Sequence, residues 1–244
     1  MKLTVVGSSP AWPNPGGAQS GYLLDSGGQR VLLDCGPGVL ASLREREDWP
    51  RVDAIAITHF HLDHWGDLVP WVWGVAYGPG RGAPKPELWL PPGGRATLAR
   101  LGAQLGRPDM FKDAFDVREY VRGEPFSAAG FEITPVKVLH YELDAYGFRV
   151  SANRTVLAYS GDSGPDDALA ELAREADLFV CEATLERPNP EGGLRGHLSA
   201  DEAEAAFRAA RAKRLLLTHR PRERPLDQRF EQAHDGQELE IEPS

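Results

Sequence analysis

A short apolar run, Ala54–Thr58, opens directly onto His59-Phe60-His61-Leu62-Asp63-His64. The run reads as a buried strand. The segment after it sets three imidazoles and a carboxylate within six consecutive positions. Groups gathered that closely would repel as cations and lose the benefit of burial unless a metal ion held them. A strand ending on such a segment carries it to the rim of a sheet, and layered α/β folds collect their chemistry at the carboxyl ends of strands.

The rest of the chain fits such layers. Lys2–Gly7 reads as a strand that leads into a Gly/Pro/Ser loop, and Gly21–Asp25 and Arg30–Asp34 read as strands around Ser26-Gly27-Gly28, a hairpin signal. Gly36-Pro37-Gly38 breaks the chain before a helix over Val39–Arg46. A helix is expected from Trp65 to Tyr77, with Pro70 as a possible kink, then a strand at Glu87–Leu90 and a helix over Gly94–Leu105. Trp65, Trp71, Trp73 and Tyr77 recur at helical spacing, which is the pattern of core packing. Alternating apolar residues lead up to His140, and Thr155–Ser160 and Leu178–Cys181 read as strands on either side of a helix over Asp166–Glu175. Ser199 and Glu202 form a capping-box pattern at the start of a helix. The strand Arg214–Leu217 then delivers Thr218-His219. A hairpin cluster followed by strand–helix alternation, loosely repeated in each half, predicts an α/β chain: two sheets between outer helices, a four-layer αββα sandwich, with residues 1–244 as one domain. The polar close, Gln237 to Ser244, is expected to be peripheral.

In an extended segment residues i and i+2 point the same way, so His59 and His61 can chelate one ion together. Asp63 and His64 face a neighbouring point. Two ions about 3.5–4 Å apart can share such a site and a bridging water. Three more polar residues stand at matching strand ends: His140 to complete the first ion, His219 the second, and Asp162 to bridge both. Taken singly, His140 and His219 read equally well as hydrogen-bonded structural residues, and Asp162 as a turn former. Zinc suits histidine-rich donors, and manganese or iron suits mixed His/Asp sets.

Composition narrows the partners. The net charge of −9 argues against a broad nucleic-acid-binding face. Leu3-Thr4-Val5-Val6 is shorter than the about 7–15 residues of a secretory apolar core, and no run approaches the about 20 of a membrane span. Two cysteines, Cys35 and Cys181, read as small core residues of a reduced compartment, so a cytoplasmic protein without membrane contact is expected.

The segment His59-Phe60-His61-Leu62-Asp63-His64 resembles the signature of the metallo-β-lactamase-fold hydrolases. Leu32-Leu33-Asp34-Cys35-Gly36-Pro37-Gly38 resembles the motif preceding it, and His140, Tyr159-Ser160-Gly161-Asp162 and Leu217-Thr218-His219 stand where that family places its remaining ligands. Within the family, Cys181-Glu182-Ala183-Thr184 and Gly196-His197-Leu198-Ser199 are similar to segments of the ribonuclease Z group, with cysteine replacing a histidine. The resemblance implies two divalent metal ions and hydrolysis of a phosphodiester by a metal-bridged hydroxide. It implies Asp63 as acceptor of the water proton, and Glu182 and His197 as a dyad whose imidazole protonates the leaving oxygen. Ribonuclease Z proteins carry a long tRNA-gripping arm between the segments that hold His140 and Asp162, and here only 141–161 lies between them. The expected substrate is therefore a small phosphodiester or short nucleic acid, with tRNA disfavoured. Relatives often form homodimers, but no interface pattern stands out. Arg220 or Arg222 could clasp a phosphate oxygen; Arg220–Arg224 reads equally as an exposed loop. A lactone or thioester hydrolase, or a catalytically silent metal-binding paralogue, would use the same ligands.

Overall fold

The computed structural model describes residues 1–188 and 194–243. In chain order the elements are β1 (Lys2–Gly7), β2 (Gly21–Ser26), β3 (Gln29–Leu33), α1 (Val39–Arg44), β4 (Ala54–Ala56), α2 (Leu68–Tyr77), β5 (Glu87–Leu90), α3 (Gly94–Gln104), α4 (Met110–Ala114) and β6 (Asp116–Glu119). The second half contributes β7 (Phe126–Ala128), β8 (Phe131–His140), β9 (Leu143–Ala152), β10 (Thr155–Tyr159), α5 (Ala168–Leu172), β11 (Leu178–Glu182), α6 (Ala200–Ala210), β12 (Leu215–Thr218) and β13 (Glu238–Glu240). One sheet runs β13-β1-β2-β3-β4-β5-β6 and the other β12-β11-β10-β9-β8-β7.

Strand periodicity explains the layering. Side chains alternate faces along a strand, and here both faces are apolar. Val31 and Leu33 pack in the central cluster with Phe131, Phe148, Leu157 and Val180 of the second sheet. Leu32 and Ile55 point the other way, onto α1, α2 and α4. In the second sheet Phe179, Cys181 and Leu217 turn outward onto α5 and α6. The result is the expected αββα sandwich. Both cysteines are buried and unpaired.

Three local expectations change. The predicted helix from Trp65 is a 3-10 turn at Leu62–His64 followed by α2 from Leu68. Pro70 falls in the first turn of α2, where a missing N–H costs no intrahelical bond and gives no kink. Trp71 is fully buried as expected, but Tyr77 is exposed. The polar close is not merely peripheral: Glu238–Glu240 adds an edge strand antiparallel to β1, and Ile241 N donates to Met1 O at 2.8 Å. Ser244 lies outside the described residues.

Strand direction builds the site. β3, β4, β5 and β6 are parallel, as are β10, β11 and β12. β8 and β10 each pair antiparallel with β9 and so share a direction.

Candidate metal centre

The loop after β3 packs flat against the 3-10 turn that carries Asp63 and His64. Ser20 N and Cys35 N donate to the carbonyls of Asp63 (3.2 Å) and His64 (2.7 Å). A β-carbon on Gly36 would lie 2.0 Å from the Asp63 carbonyl oxygen, so glycine is required for that approach. From the second sheet, His140 ends β8 and Glu182 ends β11, while Asp162 and His219 follow β10 and β12. Gly161 makes the turn before Asp162 at φ 58°, and a β-carbon there would meet Tyr146 O at 2.7 Å. His219 itself holds φ 56°, a left-handed conformation that a non-glycine residue keeps only when its surroundings impose it.

The seven candidate ligands fall into two groups that share one residue. Donor atoms of His59, His61, His140 and Asp162 lie within 4.8 Å of one another, and so do those of Asp63, His64, Asp162 and His219. In the first group His140 Nε2 is 2.8 Å from His61 Nδ1, and Asp162 Oδ2 is 3.9 Å from both His59 Nε2 and His140 Nε2. In the second, His64 Nε2 is 3.3 Å from Asp162 Oδ2 and 3.4 Å from Asp63 Oδ2. His219 Nε2 is 3.1 Å from Asp63 Oδ2 and 3.6 Å from Asp162 Oδ1. Tetrahedral ligands at about 2.0–2.1 Å from zinc stand about 3.3 Å from one another, which is the scale of the second group. His59 Nε2, His64 Nε2 and Asp162 Oδ1 are buried with no hydrogen-bond partner among the described residues. Buried polar atoms rarely lack one, and cations held by the two groups would satisfy them. The donor set therefore fits metal.

The opposite edges of His140 and His64 are fixed. His140 Nδ1 lies 2.7 Å from Gly196 O, and a carbonyl only accepts, so this nitrogen carries the proton and Nε2 is bare. His64 Nδ1 lies 2.7 Å from Asp34 Oδ2, which also accepts from Tyr159 OH at 2.8 Å. Such partners set the tautomer and orient a ligand. Burial holds His59, His61 and His140 below the ordinary imidazole value, which favours the neutral, ligating form. His64 goes the other way: against its burial, Asp162 and Asp34 hold it well above.

Glu182 and His197 also meet, with Nδ1 2.8 Å from Oε1. Burial opposes charge on His197, but the Glu182 carboxylate, with Asp162 behind it, outweighs this and raises the imidazole to about 9. The capping box of α6 fixes the segment: Ser199 N donates to Glu202 Oε2 at 2.9 Å, a feature worth about 1 kcal/mol. Donor atoms of Glu182, His197 and His219 also cluster within 4.8 Å. That trio is a poor third metal site, because Glu182 Oε1 already accepts from Ser163 N and His197, and Oε2 from Thr184 N and Oγ1.

Arg220 is a correction. Its guanidinium turns inward, is 2 % exposed, and donates to the carbonyls of Ala183, Leu185 and Arg224. It braces the loop under Glu182, and both of its Nη nitrogens are committed to backbone carbonyls. Arg222 is exposed, tied through its backbone N to Asn14 Oδ1 at 2.8 Å. Asp34 and Thr184 lie inside the family-like motifs of the sequence, yet their roles emerge only from contacts. The signal is a carboxylate or hydroxyl at a strand end, as for the ligands themselves.

Residues 29–220 match the β-lactamase superfamily domain. The chain belongs to that superfamily, and its two mixed sheets flanked by helices are the metallo-β-lactamase fold. It is 39% identical to an uncharacterised protein of Mycobacterium leprae over 91% of this chain and 78% of the relative. It is 31% identical to the probable metallo-hydrolase YhfI of Bacillus subtilis, over 91% and 87% of the two chains. The YhfI crystal structure superposes with a TM-score of 0.83 at 25% identity, covering 98% of this chain and 99% of that one. Ribonuclease Z of Mycobacterium bovis is 29% identical over 90% of this chain and 85% of its own length. A diphosphatase of the PhnP family superposes with a TM-score of 0.77 at 25% identity, covering 99% of this chain and 98% of that one.

Proposed function

We propose that the chain is a metal-dependent phosphodiesterase. His59, His61, His140 and Asp162 would hold one divalent ion, and Asp63, His64, Asp162 and His219 a second. The donors favour zinc, with manganese or iron compatible. Ions held there supply Lewis acidity and a water acidic enough to attack near neutral pH.

The residues do the rest. His197 keeps its proton at neutral pH, since Glu182 raises it to about 9, and donates it to the departing alkoxide oxygen. Glu182 orients that ring through the 2.8 Å contact at Nδ1. Against its burial, the His219 imidazole at 3.1 Å and the neighbouring His64 ring hold Asp63 below the ordinary carboxylate range. As acceptor of the water proton, Asp63 would release it to bulk solvent and not retain it.

The Glu182–His197 pair carries the reading toward a poor leaving group such as an alkoxide. The relatives named ribonuclease Z and the PhnP-family diphosphatase support phosphoryl chemistry. A small substrate is favoured over tRNA, because 141–161 is taken up by β9, β10 and their turns. The net charge is also −9.

The test is a turnover screen of the metal-replete protein on bis(p-nitrophenyl) phosphate, cyclic phosphates, a precursor tRNA, a lactone and a thioester. Preference for a small phosphodiester is expected. Preference for the lactone or thioester overturns the reading, and bound metal without turnover of any ester points to a binding module.

A further inference from the structure

The rim of the metal centre is apolar where an enzyme for a polyanion would be basic. Leu62, between two candidate ligands, is 61% exposed, and Tyr141, Leu143 and Leu194 are 45%, 41% and 56% exposed. Two nearby arginines are already engaged. Arg195 grips Glu202 at 2.6 and 2.9 Å, and Arg220 donates to backbone carbonyls.

Tyr141 is the aromatic member of this rim. It directly follows the candidate ligand His140 and holds φ 50°, strain of the kind that gathers at functional sites. Its N donates to Arg195 O at 3.2 Å. A β-carbon on Gly196 would fall 2.1 Å from the phenol ring, so the ring rests against bare backbone. The ring centroid is 5.0 Å from that of His140 and 5.8 Å, edge-on, from that of His197. A large ring held in a strained conformation, backed on one side and open on the other, has the form of a stacking platform.

We propose that Tyr141 stacks a flat group of the substrate beside His197, so that the substrate is a small phosphodiester bearing an aryl or heteroaryl group and not a polyanionic chain. This rests on the phosphodiesterase reading, and its test keeps the two separable.

Binding is measured first, on the metal-loaded protein, with diphenyl phosphate and dimethyl phosphate as probes. The wild type is expected to prefer the diphenyl ester by about tenfold or more, and Y141L to lose that preference while Y141F and Y141W keep it. Metal content unchanged in Y141L separates the platform from the ligand set. Turnover is then compared on diphenyl and dimethyl phosphate, of which only the first offers the platform an aryl group. Y141L should raise KM for the phenyl ester about tenfold and leave kcat, and the methyl ester, within about threefold. No preference in the wild type, equal losses on both esters, or a Y141F as impaired as Y141L would overturn the platform. Absent turnover with intact diphenyl preference would instead overturn the phosphodiesterase reading alone.

Discussion

Behind the metal centre stand two threonine-linked carboxylates, one in each half of the fold. In the first half His59 Nδ1 lies 3.0 Å from Thr58 Oγ1, which lies 2.9 Å from Asp34 Oδ2. In the second His219 Nδ1 lies 2.8 Å from Thr184 Oγ1, which lies 3.0 Å from Glu182 Oε2. A threonine hydroxyl has one proton, so each chain runs one way: imidazole to hydroxyl to carboxylate. The carboxylates differ in what else they reach. Asp34 is sealed among His64, Tyr159 and the Thr58 backbone. Glu182 reaches His197, whose side chain remains 16% exposed. Under the proposed mechanism the same device would orient ligands in one half, and in the other it would also prepare a proton donor.

The largest effect is expected at Asp162, which belongs to both ligand groups. D162A should lose metal from both, by elemental analysis, and lower turnover beyond the about 100-fold ceiling typical of outer partners. Retention of two full equivalents would show that the halves do not share it. The next variants split the two carboxylates. H197A should cut phosphodiester turnover by about 100- to 10,000-fold with metal content unchanged. D34N should lower metal affinity and turnover together, by about 10- to 100-fold. If both variants lose metal alike, the contrast between the halves fails.

Titration sharpens it. In the metal-free protein NMR should find His197 protonated up to about 9. Removing the negative charge by E182Q removes the main support for the imidazolium, so the value should fall, while D34N should leave it in place. The smallest effects belong to the hydroxyls: T58V and T184V should each reduce turnover by less than the corresponding carboxylate variants, measured under saturating metal.

Legibility in the sequence divides along similar lines. His59 to His64 sit in one turn, so their chemistry is local and readable. His140, Asp162 and His219 are readable because each ends an apolar strand, a signal that survives without contacts. Arg220 misleads for the opposite reason: its neighbour His219 says where the chain is, but not which way a long side chain turns, and the bare carbonyls of Ala183 and Leu185 decide that. β13 is hidden because only three residues pair with β1, and the alternation of Leu239 and Ile241 with Glu238, Glu240 and Glu242 is too short a run to stand out in a polar close. Tyr141 lies beside a predicted ligand, yet only the space made by Gly196 reveals its place.

Anomalous diffraction from metal-loaded crystals probes the paired centre most directly. Two peaks about 3.5–4 Å apart are expected, one among His59, His61, His140 and Asp162, the other among Asp63, His64, Asp162 and His219. A single peak, or peaks held by other residues, would contradict the shared-carboxylate centre.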